Sequence, residues 1–268
     1  MTAGKYANIN GLNLYYEIYG TGQPLILLHG GLGGISMFEQ ILPALSAQRQ
    51  VIGVELQAHS HTADVDRPFS FESMADDVAA LIKHLDLDSA DILGYSLGGG
   101  VAWQTAIRHP AAIRKLVVVS APCQRHGWYP EVLAGMAALN AAAAAAMIGS
   151  PPHQAYVSTA PKPQDWSVLV EKTGHLLRQD YDWSAEMAAL KVPTQLIFGD
   201  ADSIRPEHMV EMFQLLGGGQ RDGGWDGSGM SNARLAILPA TTHFNTIASP
   251  LLAPIVTPFL DAPLPQPR

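Results

Sequence analysis

The sequence predicts an α/β fold: a mostly parallel central sheet flanked by helices on both faces, with one helical insertion. Three observations predict it. Short, continuous apolar runs recur along the chain, as strands buried on both faces require. Segments with helical period lie between them, which is how parallel strands are connected. A strand-free stretch then breaks the alternation between Pro122 and Ala188.

The elements follow in order. Tyr6–Ile9 and Leu12–Tyr19 are joined by Asn10-Gly11, a strong hairpin signal, because both residues tolerate the left-handed backbone of a tight turn. Buried strands are expected at Leu25–Leu28, Val51–Leu56, Ala90–Leu93, Leu116–Val119, Gln195–Phe198 and Leu235–Leu238. Phe71–Leu85 carries Met74, Val78, Leu81, Ile82 and Leu85 at helical spacing, with acids early and Lys83-His84 late, as a helix dipole prefers. Leu97–His109 reads as a second helix, closed by Pro110.

Within the strand-free stretch, Val132–Ile148 reads as an alanine-rich helical run with an apolar face of Met136, Leu139, Met147 and Ile148, then Gly149-Ser-Pro-Pro152. Trp166–Leu177 and Tyr181–Leu190 are loosely helical. The expected organisation is therefore a core of residues 1–121 and 189–268 with a cap at 122–188. Gly217–Gly229 is a glycine-rich loop, and the proline-rich tail after Pro258 is expected to fray.

Composition excludes several function classes. Hydrophobic residues make up 47% and charged residues 15% of the 268, a compact rather than disordered balance. The net charge is −8 with no basic cluster, so neither nucleic acid nor an acidic membrane surface is an expected partner. Met1–Asn10 lacks the pattern of a signal peptide, and no run is long enough to span a bilayer, so a cytoplasmic location is expected. The single cysteine, Cys123, cannot form an internal disulfide and reads as a small buried residue rather than a nucleophile.

Gly94-Tyr95-Ser96-Leu97-Gly98 carries the chemistry. A G-x-S-x-G match alone is weak, but this one follows a strand and opens the helix that holds Trp103 and Ile107. Such a turn strains the serine backbone and lifts its hydroxyl clear of the sheet, while the flanking glycines let strand and helix pack closely. The bland alternative is a glycine-rich turn with a capping serine. In its motif and order of elements the chain resembles the α/β-hydrolase family from about Tyr6 to Phe259, most weakly in the insertion.

The resemblance implies a Ser–His–Asp triad. Ser96 would be the nucleophile and His243, in Ala240-Thr-Thr-His-Phe after the last strand, its base. Asp202, three residues after Gly199, would be the acid, with Asp200 as competitor; after the preceding strand, Ser120-Ala-Pro-Cys123 offers no carboxylate. His29-Gly30-Gly31 matches the family's oxyanion loop, which implies backbone N–H donors at Gly31 and Leu97. His29 itself reads as a structural hydrogen-bonder, and a phosphate-binding loop is the weaker alternative. Leu32, Tyr95, Trp128, Tyr129, Met136 and Phe244 are expected around the pocket. The other histidines considered, His84, His109, His175 and His208, are expected to face solvent.

The family also has glycines where this chain has Ala58 and Ser60, so the turn after Glu55 is expected to be strained or reshaped. His59-Ser-His61-Thr-Ala-Asp64 superficially resembles a binuclear metal motif, with wrong spacing and no following histidine. The expected partner is a small-to-medium neutral ester or lactone. No cofactor or metal is called for, and assembly as a homodimer stays open. Carbon–carbon hydrolysis and perhydrolysis use the same three residues in family members. A metal-dependent hydrolase or a non-catalytic binder are the rival classes.

Overall fold

In the computed structural model, which describes residues 4–264, eight strands form one sheet. They are β1 (Lys5–Ile9), β2 (Leu12–Tyr19), β3 (Gln23–Leu28), β4 (Arg49–Val54), β5 (Ala90–Tyr95), β6 (Ile113–Val119), β7 (Thr194–Ala201) and β8 (Ala233–Thr242). Their order is β1-β2-β4-β3-β5-β6-β7-β8. β2 runs antiparallel to β1 and to β4, and β3 to β8 are mutually parallel. The hairpin forms where Asn10-Gly11 predicts it, with φ of 48° and 84° at the two turn residues.

The continuous apolar runs divide by alternation between two cores. Ile26, Leu28, Ile52, Val54 and Ile92 face one core with Met74, Val78 and Trp103 of α2 (Phe71–His84) and α3 (Leu97–Arg108). Leu25, Leu27, Val51 and Leu93 face the other, with Leu45 of α1 (Leu42–Ser46) and Leu252, Val256 and Leu260 of the C-terminal helix (Leu252–Asp261). Each side of the sheet is thereby sealed from water, which is why these strands read as unbroken hydrophobic stretches. Ser70 caps α2 by accepting the Ser73 N–H at 3.0 Å.

Between β6 and β7 lie α4 (Pro130–Ala137), α5 (Ala141–Ala146), α6 (Pro151–Thr159), α7 (Trp166–Arg178) and α8 (Ser184–Ala189). After β7 come α9 (Pro206–Leu215) and, after β8, α10 (Leu252–Asp261). Two expectations are corrected. The Val132–Ile148 run is two helices, because Asn140 turns its side chain to cap α5 through the Ala143 N–H at 3.0 Å, and Ile148 is exposed rather than on an apolar face. Pro151-Pro152 starts α6, since proline fits a helix's first turn. α10 continues through Pro258 to Asp261, its last carbonyls collected by the buried Lys115 ammonium, which donates to Phe259 O at 2.7 Å and Leu260 O at 3.0 Å. The end of the expected frayed tail, 265–268, and the start of the Met1–Asn10 segment, 1–3, lie outside the described residues. Among the described residues no helix is long and apolar enough to cross a membrane.

Two histidines are locked in the interior. His29 Nδ1 donates to Gly30 O at 2.8 Å, and its Nε2 accepts the Leu56 N–H at 3.1 Å, which fixes a neutral tautomer. His59 Nδ1 donates to Gln57 O at 2.8 Å. Burial pushes their pKa values from 6.5 down to about 4 and about 3. The unfolded chain therefore binds protons that the folded chain refuses. Stability from these groups is complete above pH 6.5 and is lost as pH falls below it toward 4 and 3. His59→Gln removes one of the two. The slope of unfolding free energy against pH in this acid window is expected to drop by about one proton, as read from urea unfolding at a series of pH values.

Candidate active site

The site sits at the carboxyl ends of four neighbouring strands. Ser96 follows β5 directly and precedes α3, with φ 53° and ψ −117°. An L-residue there costs roughly 1–3 kcal/mol and persists only where its surroundings fix it. Here they do. The Ser96 N–H donates to Val119 O at 2.9 Å, and the Ser96 carbonyl accepts the N–H groups of Gly99 and Gly100 at 2.9 and 3.1 Å. A Cβ on Gly94 would fall 2.3 Å from Gly98 O, and one on Gly98 2.3 Å from Leu28 O. Only glycine at both positions lets β5 and α3 approach this closely.

The Ser96 hydroxyl faces His243, with Oγ 3.0 Å from Nε2. His243 lies just past β8, and its Nδ1 is 3.0 Å from Asp202 Oδ1. Asp202, just past β7, is buried. Its Oδ2 accepts from Ser120 Oγ at 2.5 Å and from the Gly199 N–H at 3.0 Å, and its Oδ1 from the Ser203 N–H at 2.7 Å. Burial alone would raise its pKa, but the contacts from His243, Ser120 and Gly199 outweigh it and hold the carboxyl below its usual value. The competitor Asp200 is turned away, accepting the N–H groups of Ala240 and Thr241 at the surface. The Tyr95 hydroxyl donates to His243 O at 2.8 Å, and the Trp128 ring lies 5.4 Å from the His243 ring.

Beside Ser96 the His29-Gly30-Gly31 loop is tied to the start of α3, where the Gly98 N–H donates to His29 O at 3.0 Å. A Cβ on Gly31 would sit 3.5 Å from Leu97 Cδ1, so the two segments adjoin. Neither the Gly31 nor the Leu97 N–H has a hydrogen-bond partner among the described residues. Two such free donors beside a hydroxyl can hold an anion developing on a bound carbonyl.

A cavity of about 150 Å³ opens at Ser96. Of the residues expected around it, Leu32, Trp128 and Met136 line it. Tyr95, Tyr129 and Phe244 do not. Tyr95 lies under His243, where its hydroxyl is used. Tyr129 follows the turn into α4, with its N–H on Ser203 O. Phe244 points outward and is 83% exposed. Phe71 and Tyr181, which the sequence reading missed, complete the wall. Their rings pack edge to face at 5.7 Å. The only legible sign of them was their aromatic character at the ends of helical segments.

The other sequence candidates are placed as follows. Ala58 and Ser60 adopt φ of 64° and 45°, the left-handed conformation expected of residues in glycine positions. His59, His61 and Asp64 do not converge: His59 is buried against Gln57 O, His61 Nδ1 pairs with Glu55 Oε2 at 2.9 Å, and Asp64 pairs with Lys172 Nζ at 2.6 Å. Cys123 is buried, and burial pushes its thiol up to about 12. His208 is buried rather than exposed, because its face of α9 packs under the Arg125–Gly127 turn.

A family model described as the alpha/beta hydrolase fold matches residues 23–220. Among curated proteins, the AB hydrolase superfamily protein YisY of Bacillus subtilis is 30% identical over 217 residues, covering 73% of this chain and 80% of that protein. The pimeloyl-(acyl-carrier protein) methyl ester esterase of Aeromonas hydrophila is 28% identical over 227 residues, covering 75% and 85%. Among solved structures, E-2-(acetamidomethylene)succinate hydrolase aligns with a TM-score of 0.77 at 19% identity, over 98% of this chain and all of that one, a likeness of fold.

Ser120→Ala deletes a hydrogen bond to a buried carboxylate. It should cost about 1.5–3 kcal/mol of stability at neutral pH, measured by urea unfolding. Asp202 stabilises the fold above its unfolded pKa, and this contribution is lost as pH falls through its lower folded pKa. In the variant the folded pKa rises toward the unfolded one, so the loss should be smaller and should be complete at a higher pH.

Proposed function

The chain belongs to the alpha/beta hydrolase fold family, and from that premise we propose that it is a serine hydrolase of small neutral carboxylic esters or lactones. One observation carries the reading: the unbroken chain of contacts from Ser96 Oγ through His243 to Asp202, 3.0 Å at each step. In this reading Ser96 attacks the carbonyl carbon while His243 Nε2 takes the hydroxyl proton. The carbonyl oxygen becomes an oxyanion held by the N–H groups of Gly31 and Leu97. Collapse expels the alcohol, which leaves with the proton from His243, and an acyl group remains on Ser96. Water, deprotonated by the same imidazole, attacks the acyl-enzyme and releases the acid. Asp202 keeps the Nδ1 proton on His243 and stabilises the imidazolium. Residues 122–188 act as a cap, supplying Trp128, Met136 and Tyr181 to the cavity wall.

Cavity size and chemistry support the substrate class. About 150 Å³ is the size of an apolar cavity that takes up one benzene, so an acyl group or lactone ring of that bulk fits. Among the described residues no charged side chain lines the cavity, so a charged acyl group would lose its hydration with nothing there to replace it. The similarity to a methyl ester esterase points the same way.

A panel of esters and lactones of graded chain length tests the reading, together with labelling by a fluorophosphonate. Ser96→Ala should lower kcat by about 10⁴-fold or more and abolish labelling; full activity in that variant sinks the proposal. Activity confined to carbon–carbon cleavage or perhydrolysis would keep the three residues and overturn the ester assignment. Met136→Ala enlarges the cavity and should raise the kcat/KM ratio of longer to shorter acyl chains by about 10-fold, measured on the same panel.

A further inference from the structure

Away from Ser96, three side chains that the mechanism does not use come together. The ligating atoms of His126, His208 and Glu211 all lie within 4.8 Å of one another. His208 and Glu211 are three residues apart on α9, on one helical face, with His208 Nδ1 2.9 Å from Glu211 Oε2. His126 belongs to the short turn Arg125–Gly127, and its ring centre is 5.8 Å from that of His208.

The turn is fixed in place over α9. Arg205 Nε and Nη2 donate to His126 O at 3.1 and 2.9 Å, and the Arg205 N–H donates to Gly127 O at 2.9 Å. Gly127 itself leaves room for the ring, since a Cβ there would lie 2.2 Å from His208 Cδ2. His208 is thereby held from both sides, with Cys123 Sγ 3.8 Å from its Nε2.

We propose that His126, His208 and Glu211 form a binding site for a first-row divalent transition metal such as Zn²⁺, separate from the Ser96 site. Two imidazoles and one carboxylate suit such a cation, while Mg²⁺ and Ca²⁺ demand oxygen ligands. The metal takes the place of the proton shared between His208 Nδ1 and Glu211 Oε2. Tetrahedral bonds of about 2.0–2.1 Å need ligand atoms about 3.4 Å apart. The exposed His126 ring closes the remaining distance by rotating about its side-chain bonds, and Glu211, half in solvent, leaves a coordination position for water.

The site joins two segments that lead to the Ser96 cleft. The His126 turn runs into Trp128, which pairs with Ile204 and packs on the His243 ring, and α9 follows Asp202 by only a few residues. A bound metal therefore staples the entry of the cap segment to α9.

The test is calorimetric titration of the tag-free, chelator-stripped full chain with ZnCl₂, alongside thermal melts. The expected result is one Zn²⁺ per chain, with a saturable rise in Tm that MgCl₂ does not reproduce. His126→Ala and Glu211→Gln change exposed side chains, so both variants should fold. Each should weaken binding by about 100-fold or more and remove the rise in Tm. No saturable binding, or binding that survives in both variants, would overturn the proposal. Ser96→Ala should bind Zn²⁺ as the parent does, so the metal site and the hydrolase reading stand or fall separately.

Discussion

The site depends on one backbone constraint, the left-handed conformation of Ser96 between β5 and α3. A residue forced into that region turns its side chain out of the sheet instead of into the next helical turn. The close packing at Gly94 and Gly98 leaves the chain no other path, and three backbone hydrogen bonds hold the serine there. The same contacts bring the His29 loop to the start of α3, where the Gly31 and Leu97 N–H groups have no partner among the described residues. The strained serine and the two donors are consequences of one turn.

The sheet supplies the rest. β5, β6, β7 and β8 are consecutive neighbours, and from their carboxyl ends come Ser96, Ser120, Asp202 and His243 in the same order. Parallel strands put all four ends on one side, where open α/β sheets bind ligands. Ser120 has no part in the sequence motif, yet it bridges the gap between the Ser96 strand and the Asp202 strand. Its own φ of 52° turns its hydroxyl toward the carboxylate. The competitor Asp200 lies two residues earlier, and strand alternation does not decide between the two; the surface N–H groups of Ala240 and Thr241 hold it away.

Much of the fold was legible in the sequence because strands sealed on both faces leave an unmistakable trace. Asn10-Gly11, the G-x-S-x-G turn and the buried runs through β7 lie where local chemistry puts them, whereas Leu235–Leu238, expected to be buried, lies in the edge strand β8 and leaves Ile237 exposed. The misreadings occur where a distant partner overrides a local rule. Pro258 would end an isolated helix, but Lys115, far away on β6, collects the last carbonyls of α10. Asn140 divides a run whose alanines would continue, because its side chain competes for the backbone. His208 looked solvent-facing on a polar helix until the Arg125–Gly127 turn covered it. The cavity wall was least legible of all. Phe71 and Tyr181 meet there from segments more than a hundred positions apart, and no local pattern encodes that meeting.

The wide sequence separation of the site's contacts has a kinetic consequence. Ser96 and His243 are 147 positions apart, and Ser120 and Asp202 82. Neither contact exists until β7 and β8 have docked on the parallel sheet, and long-range parallel pairing is the slow part of folding. Helices α2 and α3 and the hairpin can form from local contacts much earlier. During refolding helices α2 and α3 therefore form before Ser96 meets His243, and the return of this contact marks the end of folding rather than its course.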